Sequence, residues 1–154
     1  MKQIPSVDLG DFLSVDTNKR NEFIQNIGKA YEDIGFVALK GHFLDQDLVD
    51  ELYTQIRNFF SLPYEMKAKY EVQGLAGQRG YTSFGKEHAK GRTTGDLKEF
   101  FHFGQHEPPA NSEEYPENVL VDEIPAFNVV GQKTFAALEK TGCFVLRALA
   151  HHLG

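Results

Sequence analysis

RGYTSFGKEHAKGRTTGDLKEFFHFG, residues 79–104, runs from a glycine-rich basic loop into a short aromatic strand. Gly80, Gly85, Gly91 and Gly95 punctuate it, with Arg79, Lys86, Lys90 and Arg92 between them. Gly74 and Gly77 extend the same composition backwards, so regular structure is not expected over most of residues 73–95. A loop of that length inside a compact domain is usually functional, a lid or a binding loop, or else disordered. From Leu97 to Phe103 the side chains alternate as a strand would, yet aromatics fall on both faces. A strand that is apolar on both faces needs cover on each side. The stretch therefore asks for an α+β fold with partner structure around it.

Working outward toward the N-terminus, Pro63 opens a short helix through Tyr70. Before it, Leu48, Val49, Leu52, Tyr53, Ile56, Phe59 and Phe60 form one helical stripe, with Asp45 as its expected cap. Phe36-Val-Ala-Leu39 reads as a buried strand. Asp16 and Thr17 offer caps to a helix over about residues 18–34, which Gly35 ends in the left-handed region. Ile4 to Leu9 alternates as a strand with Pro5 at its start. In the other direction, Gln105 to Asn118 carries Pro108, Pro109 and Pro116 and reads as a surface excursion. A long helix over 122–153 follows, its apolar face formed by residues such as Phe127, Val130, Leu138 and Leu146. Gly131 and Gly142 on it mark a close backbone approach or a slight kink. Little in the preceding sequence is an obvious partner for that face.

The totals exclude several classes. At 154 residues the chain has the length of one ordinary domain. A net charge of −6 with no basic block argues against nucleic acid, which needs clustered Lys and Arg. One cysteine, Cys143, excludes an internal disulfide and a cysteine-built metal site, and its apolar helical setting reads as a buried position. The N-terminus lacks the apolar core of a signal peptide, and no apolar run approaches the ~20 residues of a membrane span. A cytoplasmic protein with no membrane partner is the expectation.

Candidate chemistry is sparse. His102 and His106 are four apart, but Gly104 between them works against the helix that would bring both rings to one metal. They read as a strand and a loop histidine, and no metal ligand is assigned. Glu99 alternates with phenylalanines and reads as a structural ion pair, with Arg79 or Arg92 as partner, rather than a general base. Gly77-Gln-Arg-Gly80 lacks the pattern and the strand-to-helix context of a phosphate loop. No G-x-S-x-G elbow supports a serine nucleophile. Arg79 beside Tyr81 suits a carboxylate-bearing small molecule, since a guanidinium fork and a phenol can both donate to it.

Several pieces in order carry a resemblance: Ile4-Pro-Ser-Val-Asp-Leu9, Ile34-Gly-Phe-Val-Ala-Leu-Lys-Gly-His42, Phe59-Phe-Ser-Leu-Pro-Tyr-Glu-Met-Lys67, Arg79-Gly-Tyr81, Asp96-Leu-Lys-Glu-Phe100 and Leu146-Arg-Ala-Leu-Ala-His-His-Leu-Gly154. Together they resemble the N-terminal region of the isopenicillin N synthase-like iron(II)/2-oxoglutarate-dependent oxygenases. The resemblance implies N-terminal helices and a few strands of a double-stranded β-helix, with most of that jelly roll not in this chain. It implies Fe(II) and 2-oxoglutarate as cofactors of a complete enzyme acting on a small-molecule substrate. It places Arg79, Tyr81, Glu99 and Phe101 on the substrate side.

That family binds iron through His-x-Asp and a distant His, and 2-oxoglutarate through Arg-x-Ser. None of the six histidines is followed by x-Asp, and no arginine by x-Ser. The expectation is an N-terminal piece with no catalytic residue of its own, binding neither cofactor alone, and self-associating through uncovered apolar surface. A variant of the family dispenses with 2-oxoglutarate. The alternative from another class is a stand-alone small-ligand or protein-binding module derived from such an enzyme.

Overall fold

A computed structural model of the chain describes residues 3–88, 91, 94–106 and 115–154. The elements run β1 (Ser6–Asp8), α1 (Leu9–Leu13), α2 (Thr17–Asp33), β2 (Ala38–Lys40), α3 (Gln46–Phe60), α4 (Tyr64–Ala68), β3 (Gly80–Thr82), β4 (Phe100–His102) and α5 (Pro125–Leu153). They fall into two compact units, residues 1–45 with 137–154, and residues 46–136. No helix among the described residues is long and apolar enough to cross a membrane.

In the first unit β1 and β2 pair in parallel, Val7 opposite Leu39, as a two-stranded sheet. The expected strand over 4–9 is cut short because Asp8 turns the chain into α1, its carboxylate accepting from Gly10 N at 2.8 Å. Asp16 caps α2 as expected, accepting from Asn18 N and Lys19 N, an arrangement that contributes about 1 kcal/mol. At the other end Gly35 sits at φ +80°, and its N–H returns to Ala30 O and Tyr31 O. Val7, Leu9, Phe12, Phe23, Ile27 and Ala148 form the core. The buried strand expected at 36–39 is a correction. The strand is Ala38–Lys40, two of its three residues are exposed, and Phe36 is 67% exposed.

The C-terminal turns of α5 pack into the same unit. Gly28 of α2 lets the His152 ring lie on the helix backbone, since a Cβ there would stand 2.2 Å from the ring. His152 Nε2 lies 3.0 Å from Glu32 Oε1. Cys143 is exposed rather than buried. It sits off the helix face that carries Phe144, Val145, Ala148 and Leu149 to the core.

In the second unit β3 and β4 pair antiparallel, Tyr81 opposite Phe101. The strand expected over 97–103 shrinks to three residues because β3 offers only three to pair with, and Leu97 is 93% exposed. The expected irregular loop is interrupted by β3, whose three residues are all buried. Lys90, Arg92, Pro108 and Pro109, singled out above, lie outside the described residues. Phe59, Tyr70, Tyr81, Val121 and Phe127 form this core. Phe59 stacks on Phe127 at 4.8 Å and meets Phe101 edge-on at 5.1 Å. The first turns of α5 are therefore not without partners: Phe127, Val130 and Thr134 are buried. Gly131 allows the close approach its sequence suggested, since a Cβ there would meet the Phe103 ring at 2.4 Å.

Candidate functional site

Three polar side chains converge behind the β3–β4 hairpin. Lys67, in α4, is buried, an expensive place for an ammonium without a counter-charge. It donates to both carboxylate oxygens of Glu99, at 3.0 and 2.8 Å, and to Phe60 O at 3.2 Å. Tyr81, 2% exposed, donates its hydroxyl to Glu99 Oε2 at 2.5 Å. Burial first, then the bond to the Glu99 carboxylate and its charge, push the Tyr81 phenol well above its ordinary value. The group is closed: the carboxylate has a cation and a hydroxyl, and the ammonium has three acceptor contacts.

Sequence reasoning paired Glu99 with Arg79 or Arg92, and the structure corrects the first of these. Gly80 between Arg79 and Tyr81 sits at φ +74°, and a Cβ on it would lie 2.3 Å from Tyr70 O. This left-handed residue breaks the alternation that would put Arg79 and Tyr81 on one face. Arg79 turns away, donating from Nε to Pro116 O at 3.1 Å and from a terminal nitrogen to Gln78 O at 2.7 Å. Its guanidinium lies against Gly104, where a Cβ would stand 2.1 Å away. Asn118 clamps the same glycine, accepting from Gly104 N at 2.7 Å and donating to Gly104 O at 3.0 Å. Of the four residues placed on the substrate side, Tyr81 and Glu99 meet each other. Phe101 joins the aromatic core, and Arg79 braces the end of β4.

On the other side of the hairpin lies a cleft of about 400 Å³, lined by Glu71, Gly74, Gly77, Thr82, Lys86 and His88 among others. Glu71 holds one lip, accepting from Ser83 N at 3.1 Å and from Lys86 Nζ at 2.6 Å. Burial works to raise the Glu71 carboxyl, but the bonds from Lys86 and Ser83 outweigh it and hold the group below its ordinary value. His102, on β4, has Nδ1 2.5 Å from Gly77 O. Sequence reasoning read His102 as a strand histidine rather than a metal ligand, without naming its partner. The signal for this contact was Gly77, which at φ +76° aims its carbonyl as few other residues could.

No three or more His, Cys, Asp or Glu side chains among the described residues come together to hold a metal ion. The nitrogen of His102 nearest the backbone is already engaged by a carbonyl. Among the described residues the donors are scattered rather than gathered as an iron centre needs.

Comparison with known proteins supplies the class. The chain superposes over 99% of its length on a 2OG-Fe(II) oxygenase family protein from Caulobacter crescentus, with a TM-score of 0.81 and 35% identity, covering 49% of that chain. A full-length Neurospora crassa protein solved in complex with alpha-KG and thymine shares the fold at a TM-score of 0.77 and 24% identity, over 96% of this chain and 47% of its own. Residues 4–123 match the family described as non-haem dioxygenase in morphine synthesis N-terminal. The chain belongs to this N-terminal family of the Fe(II)- and 2-oxoglutarate-dependent dioxygenases. Curated relatives include the proline hydroxylase buaE of Petromyces alliaceus, 27% identical over 98% of this chain. Another is the 1-aminocyclopropane-1-carboxylate oxidase of Dictyostelium discoideum, 34% identical over 64% of this chain. The chain spans about half the length of the first, 48%, and its match covers 26% of the second.

Proposed function

We propose that the chain is the N-terminal part of a non-haem Fe(II)- and 2-oxoglutarate-dependent dioxygenase that oxidises a small molecule. The observation that carries this is the superposition of nearly the whole chain on about half of an oxygenase family member at 35% identity. The iron ligands and the 2-oxoglutarate site belong, on this reading, to a jelly roll that is not among these 154 residues. The long α5 leads toward it. The β3–β4 hairpin serves as one wall of the substrate mouth. Arg79, Tyr81, Glu99 and Phe101 frame that wall: the Lys67–Glu99–Tyr81 group and the aromatic core fix it from behind.

The test is calorimetric titration of the 154-residue chain with Fe(II) and with 2-oxoglutarate under anaerobic conditions. Neither should bind stoichiometrically. A one-to-one Fe(II) site formed by this chain's own histidines would contradict the division of labour proposed and favour a self-sufficient binding module.

A further inference from the structure

Alternation along β4 separates two sets of side chains. Phe101 and Phe103 face the aromatic core, their rings 5.0 and 5.2 Å from Phe127. Phe100 and His102 therefore occupy the opposite face. Their ring centroids lie 4.7 Å apart, and His102 is exposed. Gly77 of the cleft wall lies against both: a Cβ on it would stand 3.6 Å from the edge of Phe100, and its carbonyl meets His102 Nδ1.

A carbonyl oxygen only accepts hydrogen bonds, so His102 Nδ1 must carry the proton. In the neutral ring this leaves Nε2 as an acceptor on a solvent-exposed residue. We propose that Phe100 and His102 are specificity-determining residues, and that they take a neutral ring bearing an O–H or N–H donor. Phe100 supplies the flat apolar contact, and His102 Nε2 accepts the donor's hydrogen bond. Lys98, whose Nζ lies 5.4 Å from the Phe100 ring centroid, is already paired with Glu87 at 2.6 Å and Asp96 at 3.7 Å, so its charge is met by two carboxylates. Gly77 holds the tautomer, so its backbone acts through His102 as a positioning group. The role as substrate contact rests on the oxygenase reading above; the acceptor site itself does not.

The experiment uses the isotopically labelled 154-residue chain, with phenol as donor probe and anisole, the same ring without the donor, as control. At a pH of about 8, well above the ordinary imidazole range, long-range nitrogen–proton correlations should report the Nδ1–H tautomer for His102. Phenol should shift the His102 Nε2 and Phe100 ring signals and bind about fivefold more tightly than anisole, as one neutral hydrogen bond allows. His102→Phe keeps an aromatic ring beside Phe100 but has no acceptor, so in the folded variant the preference should fall to about one. An Nε2–H tautomer, equal binding of the two probes, or no response of His102 to phenol would overturn the proposal. If the phenol preference stands while the complete protein forms no succinate from 2-oxoglutarate, the oxygenase reading fails and the acceptor site survives. If the preference is absent while succinate forms, the site fails and the oxygenase reading survives.

Discussion

An ammonium buried without a counter-charge costs several kcal/mol, and Lys67 avoids this by meeting both oxygens of Glu99. The side chains are 9% and 16% exposed, so solvent does little to soften the loss of either partner. Lys67→Met and Glu99→Gln should each destabilise the chain by about 3 kcal/mol, the lower end for breaking a buried pair. The double variant should cost less than the sum in urea unfolding, because no lone charge is left behind. Tyr81→Phe removes a bond to a carboxylate and should cost about 1.5–3 kcal/mol. Its pH signature has a definite sign. The folded phenol titrates above the ordinary 10.0, so the unfolded chain releases this proton first. The resulting stability is whole below about pH 10 and drains away as the pH rises beyond it, and the Phe variant should lose this part of the alkaline slope. Glu71 runs the other way: held below its ordinary 4.5, it stabilises above that pH and loses the contribution as the pH falls through its folded value. Glu71→Gln should flatten that acid limb. The partner of Glu99 was not legible in the sequence, because Lys67 lies 32 positions away and Gly80's positive φ turned Arg79 aside.

At the scale of elements, local signals read well and lateral ones poorly. Asp16 and Gly35 bound α2 where their chemistry says they should, because a cap is decided within a few residues. Strand extent is decided by what lies alongside, which explains why Phe36 and Leu97 fall outside β2 and β4 and stand exposed. The two glycines of α5 show how packing overrides propensity. Gly131 lies against Phe103, where a Cβ would stand at 2.4 Å, whereas a Cβ on Gly142 would meet nothing within 4 Å. Gly131→Ala should therefore destabilise by about 1–3 kcal/mol through overpacking. Gly142→Ala should stabilise by about 0.5–1 kcal/mol, by relieving the helix of glycine's backbone entropy. Thermal unfolding of the two variants side by side checks both signs.

For the whole molecule, the order of short motifs was enough to point to the family, since each records a local turn or cap that the fold reuses. The candidate site was less legible, because whether Tyr81, Glu99 and His102 face one another or a ligand depends on pairings between distant segments. Along α5, Leu138, Leu146 and Leu153 are 53%, 68% and 82% exposed. Apolar exposure of this kind favours association. Sedimentation of the 154-residue chain should show concentration-dependent self-association, and Leu146→Glu should weaken it without loss of helix content. The central claim is that these residues form the N-terminal part of a 2-oxoglutarate-dependent dioxygenase. The most direct measurement is succinate formation from 2-oxoglutarate, with Fe(II) and O₂, by the protein translated from the native reading frame through and beyond Gly154, set beside the 154-residue chain. Turnover by the longer protein and none by the shorter is the predicted result; turnover by neither, or by the short chain alone, would contradict it.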